Sequence, residues 1–424
     1  MDKMADVLGR AGAWCGQNKY LSAIKNAFQN FMPLTIAGAI GVLWCNVLVN
    51  ESTGLGIFFK PIMALEFLNP AFQAVNFCTI SCITVGITLG IAQEIGVWNM
   101  GAEKAGYIPG LVGLAAWLSV TNTSHMVEGA KEAFTGIAGN ELGATGLFTG
   151  MIIGVLSVEL FCFFEKQDAL KIKMPEQVPP GVARAFEVLV PATLTLIITA
   201  CIGSACYNLT GLYLNDVIKN GIQGPLGAVG ATIPGVMIIY LVIMLFWLVG
   251  IHGNNMLSAV KEALFTPLAL ENVEKFNKGE KPTNIINMYA LQMWGEFGGS
   301  GVTIGLVIAI MIFGKREDNK AIATLSLVPG LFNINETVTF GIPMVLNPIL
   351  GIPFVVAPLI TIIIGYACLT VPWTTPPIVF GFLACGANVM GAVTQAILIV
   401  VSTVIYVPFL IAYEKYQNKQ AAEA

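Results

Sequence analysis

Charge is what this sequence has least of. Only 11% of its 424 residues are Asp, Glu, Lys or Arg, against about 25% in soluble domains. With 56% of residues hydrophobic, too few charged side chains remain to cover a water-facing surface. A soluble fold is thereby excluded, and an integral membrane protein is implied. Histidine is scarcer still, with two copies. The nine cysteines form no CxxC pair or metal-ligand spacing and mostly sit inside apolar runs. They read as small apolar filler, which leaves no zinc site to expect. The glycine-rich Gly298-Gly299-Ser300-Gly301 lacks the Gly-Lys-Ser/Thr ending of a nucleotide loop. A net charge of −4 gives nucleic acid nothing to hold. The expectation is therefore no cofactor, no metal and no nucleic acid.

What is abundant is apolar length, broken by 45 glycines and 21 prolines. Candidate spans fall near 31–50, 72–93, 106–120, 143–164, 186–208, 233–250, 301–314, 353–371 and 389–413. Shorter or interrupted apolar segments lie near 252–270, 287–299, 321–349 and 376–386. Irregular backbone at membrane depth survives only where it is buried in protein or lines a cavity, so interrupted segments point towards a binding site. The expected fold class is an all-α polytopic membrane protein with about ten transmembrane helices plus two re-entrant hairpins.

Basic residues orient the chain. The connection from Glu165 to Arg184 carries Lys166, Lys171, Lys173 and Arg184 and reads as cytoplasmic. Four spans precede it, which places the N-terminus inside as well. The segment Gly314 to Lys320 and the tail with Lys415 and Lys419 read the same way. The division expected is a cytoplasmic amphipathic lead-in (1–30), a transmembrane scaffold (31–232), a substrate-handling part with most of the broken segments (233–413) and a cytoplasmic tail (414–424).

Two short stretches place ionisable groups among apolar ones. In "FWLVGIHGNNML", Phe246 to Leu257, His252 sits between Gly250 and Gly253 and before Asn254-Asn255. A histidine at a helix end is often structural, yet a glycine turn can also expose an imidazole to a cavity, where it can give or take a proton. In "GLFNINETVTFGIP", Gly330 to Pro343, Glu336 lies beside Asn333 and Asn335 in a hairpin bounded by Gly and Pro. Ionisable residues inside membrane segments are functional by default. A carboxylate with amides and an imidazole suits sugar hydroxyls, which donate and accept at once.

Two further elements stay open between readings. Trp294 and Glu296 precede the Gly298-Gly299-Ser300-Gly301 break, which either presents backbone N–H groups to an oxygen-rich ligand or packs helices closely. Trp373, between Pro372 and the Pro376-Pro377 pair, is either a stacking face for a pyranose ring or an ordinary interfacial tryptophan. Glu94 and Glu159 near span ends, and His125 in a loop, receive no role.

Together, "MPEQVPPGVARAFEVLVPA" (174–192), "GIHGNN" (250–255), "WGEFGGSGVTIGL" (294–306) and "SLVPGLFNINETVTFGIPMVLNPILGIPF" (326–354) resemble enzyme IIC of the lactose/cellobiose family of the bacterial phosphoenolpyruvate-dependent sugar phosphotransferase system. The opening "YLSAIKNAFQNFMPLTIAGAI" is similar to that family's start, and the likeness runs from about 20 to 413 in order. The resemblance implies a homodimeric, multi-pass permease of the bacterial cytoplasmic membrane, with both termini inside. It would carry a disaccharide or oligosaccharide of the cellobiose or diacetylchitobiose type. A phosphocysteine on a separate enzyme IIB would phosphorylate the sugar's 6-hydroxyl, the permease having no phosphorylated residue of its own. His252 and Glu336 correspond to that family's sugar-site histidine and glutamate, and are the expected catalytic pair. Asn254, Trp294, Glu296, Asn333, Asn335 and Trp373 complete the expected substrate-binding set. Where the family usually has proline after the glutamate, this chain has Thr337, which loosens the hairpin and adds a hydroxyl. The rivals are a proton-coupled sugar symporter, working through Glu336 and His252 without a partner, and a membrane sensor that binds but never transports.

Overall fold

The computed structural model describes residues 14, 17–51, 56, 59–125, 134–175, 177–225, 230–342, 344, 347–368 and 389–423. Among them the structure is helical, apart from a two-residue strand pair, β1 (Ser124–His125) with β2 (Phe134–Thr135). His125 belongs to that hairpin: its ring contacts Phe134 and its Nε2 lies 3.2 Å from the Asn122 carbonyl. Among the described residues, five helices are long and apolar enough to cross a membrane, and three shorter apolar ones accompany them: Ile108–Val120, Ile233–Leu248 and Ile304–Phe313.

The chain packs as two units, Gln17–Gly38 with Ala74–Gly227 and Ala39–Gln73 with Ala228–Ala424. The first takes α1 (Lys19–Leu43) as far as Gly38; this helix begins well before the expected span at 31, so the end of the lead-in continues straight into it. With it come α2 (Ile83–Met100), α3 (Ile108–Val120), α4 (Ala144–Glu165) and α5 (Pro180–Thr210). Helix α2 packs against both α3 and α4, and α5 packs against those two. The stripe Ile83, Ile87, Ile91 and Ile95, at four-residue spacing, is fully buried. Small residues bring the backbones together: a Cβ on Gly96 would lie 2.2 Å from Pro109, and one on Gly113 2.3 Å from Ala92. At the end of α4 the buried Glu165 accepts from Arg184 at 3.0 Å and pairs with Lys104 at 2.8 Å. One of the basic residues that mark the loop thus also neutralises a carboxylate.

The second unit holds α6 (Ile233–Leu248), α7 (Gly253–Asn277), α8 (Met288–Gly295), α9 (Ile304–Phe313), α10 (Glu317–Leu331), α11 (Glu336–Gly341), α12 (Gly351–Cys368) and α13 (Val389–Glu423). Thr232 caps α6, its hydroxyl accepting from the Gly235 N–H at 3.2 Å, with Pro234 in the first turn. Helix α6 packs on α7 and α12, α9 on α10 and α13, and α12 on α8 and α13. The early stretch is fastened within itself by Trp44 stacked on Phe72, centroids 4.2 Å apart. The buried Glu414 on α13 accepts from the Lys315 and Arg316 N–H groups at 2.9 and 3.3 Å, placing an anion at the start of α10. The segment expected to be short at 252–270 is one 25-residue helix, α7. The interrupted one at 321–349 is helix, turn and short helix, α10 then α11. The segment at 376–386 lies outside the described residues.

Candidate functional site

The turn before α7 follows from its glycines. Helix α6 stops at Gly250, whose φ of 81° is a left-handed closing conformation, and the Ile251 N–H returns to the Phe246 carbonyl at 3.0 Å. His252 is then the N-cap of α7, its Nδ1 accepting from the Asn255 N–H at 3.3 Å. Gly253 lies so close to α6 that a Cβ there would sit 2.0 Å from the Ile243 carbonyl oxygen. Trp247, one turn back, closes one side of the imidazole at 4.4 Å between centroids and also meets the Phe354 ring edge-on at 6.2 Å.

Because Nδ1 accepts, a neutral imidazole carries its proton on Nε2. That atom faces Glu336 Oε1 at 3.7 Å, with 36% of the His252 side chain and 49% of the Glu336 side chain exposed. The gap is too long for a direct hydrogen bond. It suits a hydroxyl oxygen lying off the line at about 2.8 Å from each, accepting from the imidazole and donating to the carboxylate. Glu336 opens α11, and Thr337 is its exposed second residue. A first-turn N–H has no partner within the helix, so the turn forms with threonine in place of proline.

Each expected asparagine bonds to the glycine loop. Asn333 takes a left-handed φ of 62°, and its Oδ1 accepts from the Gly298 N–H at 2.9 Å. Asn335, buried, donates through Nδ2 to the Ser300 carbonyl at 2.8 Å. Asn254 donates through Nδ2 to the Ser300 hydroxyl at 2.8 Å and accepts from Lys261 Nζ at 3.3 Å. The glycine loop is where these three meet. Its Gly298, Gly299 and Gly301 all have positive φ, and a Cβ on each would lie 2.4 or 2.5 Å from Ile304, Asn335 and Phe354 in turn. Of the two readings of this loop, close packing describes what the backbone does.

Glu296 follows α8 and forms an ion pair with Lys261, while Tyr240 donates to its Oε1 at 2.8 Å. Trp294 is fully buried, with its ring packed where a Cβ on Gly365 would fall, so it presents no face to a ligand here. Trp373 lies outside the described residues. The structure thus brings His252 face to face with Glu336 across that gap, and joins Asn254, Asn333 and Asn335 through the glycine loop. Lys261, Tyr240 and Trp247 escaped the sequence reading. Lys261 had a visible signal, a lysine inside an apolar stretch, but nothing in its spacing names Glu296 as its partner.

A multi-pass helical membrane protein with one partly open imidazole–carboxylate pair beside broken helices is, as a class, a transporter-like permease. The comparisons narrow this. The family model for the phosphotransferase system EIIC matches residues 25–358. The oligo-beta-mannoside-specific EIIC component of Bacillus subtilis (strain 168) is 32% identical over 98% of this chain and 94% of its own length. The cellobiose-specific EIIC component of Lactococcus lactis subsp. lactis is 30% identical over 98% of each. The lactose-specific EIICB component of Streptococcus mutans is 27% identical over 96% of this chain, which spans 71% of that relative. The crystal structure of the transporter ChbC, the IIC component from the N,N'-diacetylchitobiose-specific phosphotransferase system, superposes with a TM-score of 0.86 at 28% identity over 97% of both chains. The chain belongs to the phosphotransferase system EIIC family: it is a multi-pass membrane permease for sugar.

Proposed function

We propose that this permease carries a β-linked disaccharide or oligosaccharide across the cytoplasmic membrane and presents its 6-hydroxyl to the phosphocysteine of a separate enzyme IIB. The carrying observation is the 3.7 Å gap between His252 Nε2 and Glu336 Oε1, partly exposed on both sides. The 6-hydroxyl donates to Glu336 and accepts from His252, which fixes its oxygen and points a lone pair outward. That oxygen bonds to phosphorus, the sulfur–phosphorus bond breaks, the cysteine leaves as thiolate, and the hydroxyl proton passes to Glu336. Such catalysis is mostly positioning.

The sugars in the relatives' names, oligo-beta-mannoside, cellobiose and N,N'-diacetylchitobiose, support the substrate class. A relative named EIICB supports the partner. The same reading gives a homodimer with both termini cytoplasmic, a scaffold over 31–232 and a transport part over 233–413. The test uses inside-out vesicles, phosphorylated enzyme IIB and labelled β-disaccharides. Sugar 6-phosphate should form only with both proteins, and Glu336→Gln should abolish it while the folded protein persists. Uptake driven by a proton gradient, with no phosphosugar, would instead establish the symporter.

A further inference from the structure

Beneath the two sugar-facing turns lies an ion pair that the proposed chemistry does not use. Lys261 and Glu296 are 6% and 12% exposed, so both charges have left water. Burying them is costly unless the geometry gives something back. Here each end is occupied. Glu296 Oε1 takes the ammonium and also the Tyr240 hydroxyl at 2.8 Å, and Tyr240 is itself fully buried on α6. Lys261 Nζ, 5.6 Å from the centre of the Tyr240 ring, also donates to Asn254 Oδ1 at 3.3 Å.

That last contact decides how the Asn254 amide is turned. An ammonium only donates, so Oδ1 must face Lys261, and Nδ2 is left to reach the Ser300 hydroxyl at 2.8 Å. Ser300 in turn offers its carbonyl to Asn335 at 2.8 Å. Asn335 immediately precedes Glu336, and Asn254 is two residues after His252. One continuous set of hydrogen bonds therefore runs from the ion pair to both arms of the site.

We infer that Lys261 and Glu296 are positioning residues: their buried ion pair orients Asn254 and thereby, through Ser300 and Asn335, holds the His252 and Glu336 turns at the separation the sugar hydroxyl needs. The inference rests on the reading of His252 and Glu336 as the groups that face sugar. Glu296 Oε1 and both polar atoms of the Asn254 amide are already bonded within the protein.

The test compares Lys261→Met, Glu296→Leu and the double variant, each read three ways. Thermal unfolding in detergent reports stability, hydrogen exchange over 330–336 reports the turn, and sugar phosphorylation by enzyme IIB is counted per folded permease. Either single change strands a buried charge, so it should lower the unfolding midpoint, raise exchange in the turn and cut phosphorylation about tenfold or more. The double variant strands none. It should regain stability while exchange stays high and the rate stays low, because nothing then orients Asn254. Recovery of exchange protection and rate together with stability would reduce the pair to a structural role and overturn the inference. Should the parent phosphorylate no sugar, the proposed function fails, and exchange in the variants still decides the bracing.

Discussion

Replacing Gly253 with alanine adds one methyl group outside any sugar contact and should cost most of the activity. The added Cβ would lie 2.0 Å from the Ile243 oxygen, 2.8 Å from its carbonyl carbon and 3.0 Å from its Cα, all backbone of α6. A side chain could swing aside; a helical carbonyl cannot. Relief requires the first turn of α7 to lift from α6 by about 1 Å or more, carrying His252 away from Glu336, and a misplacement of that size costs on the order of 100-fold in rate. That factor corresponds to about 2.7 kcal/mol of barrier. Overpacking should also take roughly 1–3 kcal/mol from stability. The assay is sugar phosphorylation per folded permease with enzyme IIB, alongside thermal unfolding in detergent. Gly181, near the start of α5, has nothing within 4 Å of its added Cβ, so Gly181→Ala should change stability by no more than about 0.5 kcal/mol. A Gly253→Ala permease with the parent's rate and unfolding midpoint would refute the account of why this turn carries glycine.

Gly299→Ala should also impair phosphorylation, since φ is 91° and the new Cβ would fall 2.5 Å from Asn335; unchanged exchange over 330–336 in that variant would contradict it. Tyr406→Phe removes the hydroxyl that donates to the Gly301 carbonyl at 2.8 Å from the buried face of α13. It should lower stability by about 1–3 kcal/mol, because the carbonyl is left buried without that donor, and a thermal melt matching the parent's would count against the loop being anchored from α13.

Composition and apolar length were enough to read a helical membrane protein, and an imidazole and a carboxylate in greasy surroundings were enough to single out His252 and Glu336. That the two face each other, from turns far apart in sequence, is seen only in the structure. The asparagines were harder. Residue type says that Asn254, Asn333 and Asn335 donate and accept, but partners separated by tens of residues decide whether they do so to sugar or to the glycine loop. Trp294 was expected in the substrate-binding set, yet it is fully buried where the glycine at 365 makes room for its ring. The grouping of Ala39–Gln73 with Ala228–Ala424 was equally invisible, since no local pattern encodes which distant helices pack together.

The buried polar set explains why apolar packing alone would serve this site poorly. His252 and Glu336 stand on turns far apart in sequence, and dispersion contacts tolerate sliding by a few tenths of an ångström at little cost. Hydrogen bonds between short side chains and backbone are directional and lose strength steeply when misaligned. Ser300 receives Asn254 on its hydroxyl and Asn335 on its carbonyl, so one residue fixes both turns. The glycines around it let the loop approach Asn335 and Phe354 more closely than any side chain would allow. The Lys261–Glu296 pair supplies the one asymmetry that such a brace needs, a fixed sense for the Asn254 amide. A charge buried away from the proposed sugar site is then explained by the separation of the two groups proposed to meet the sugar.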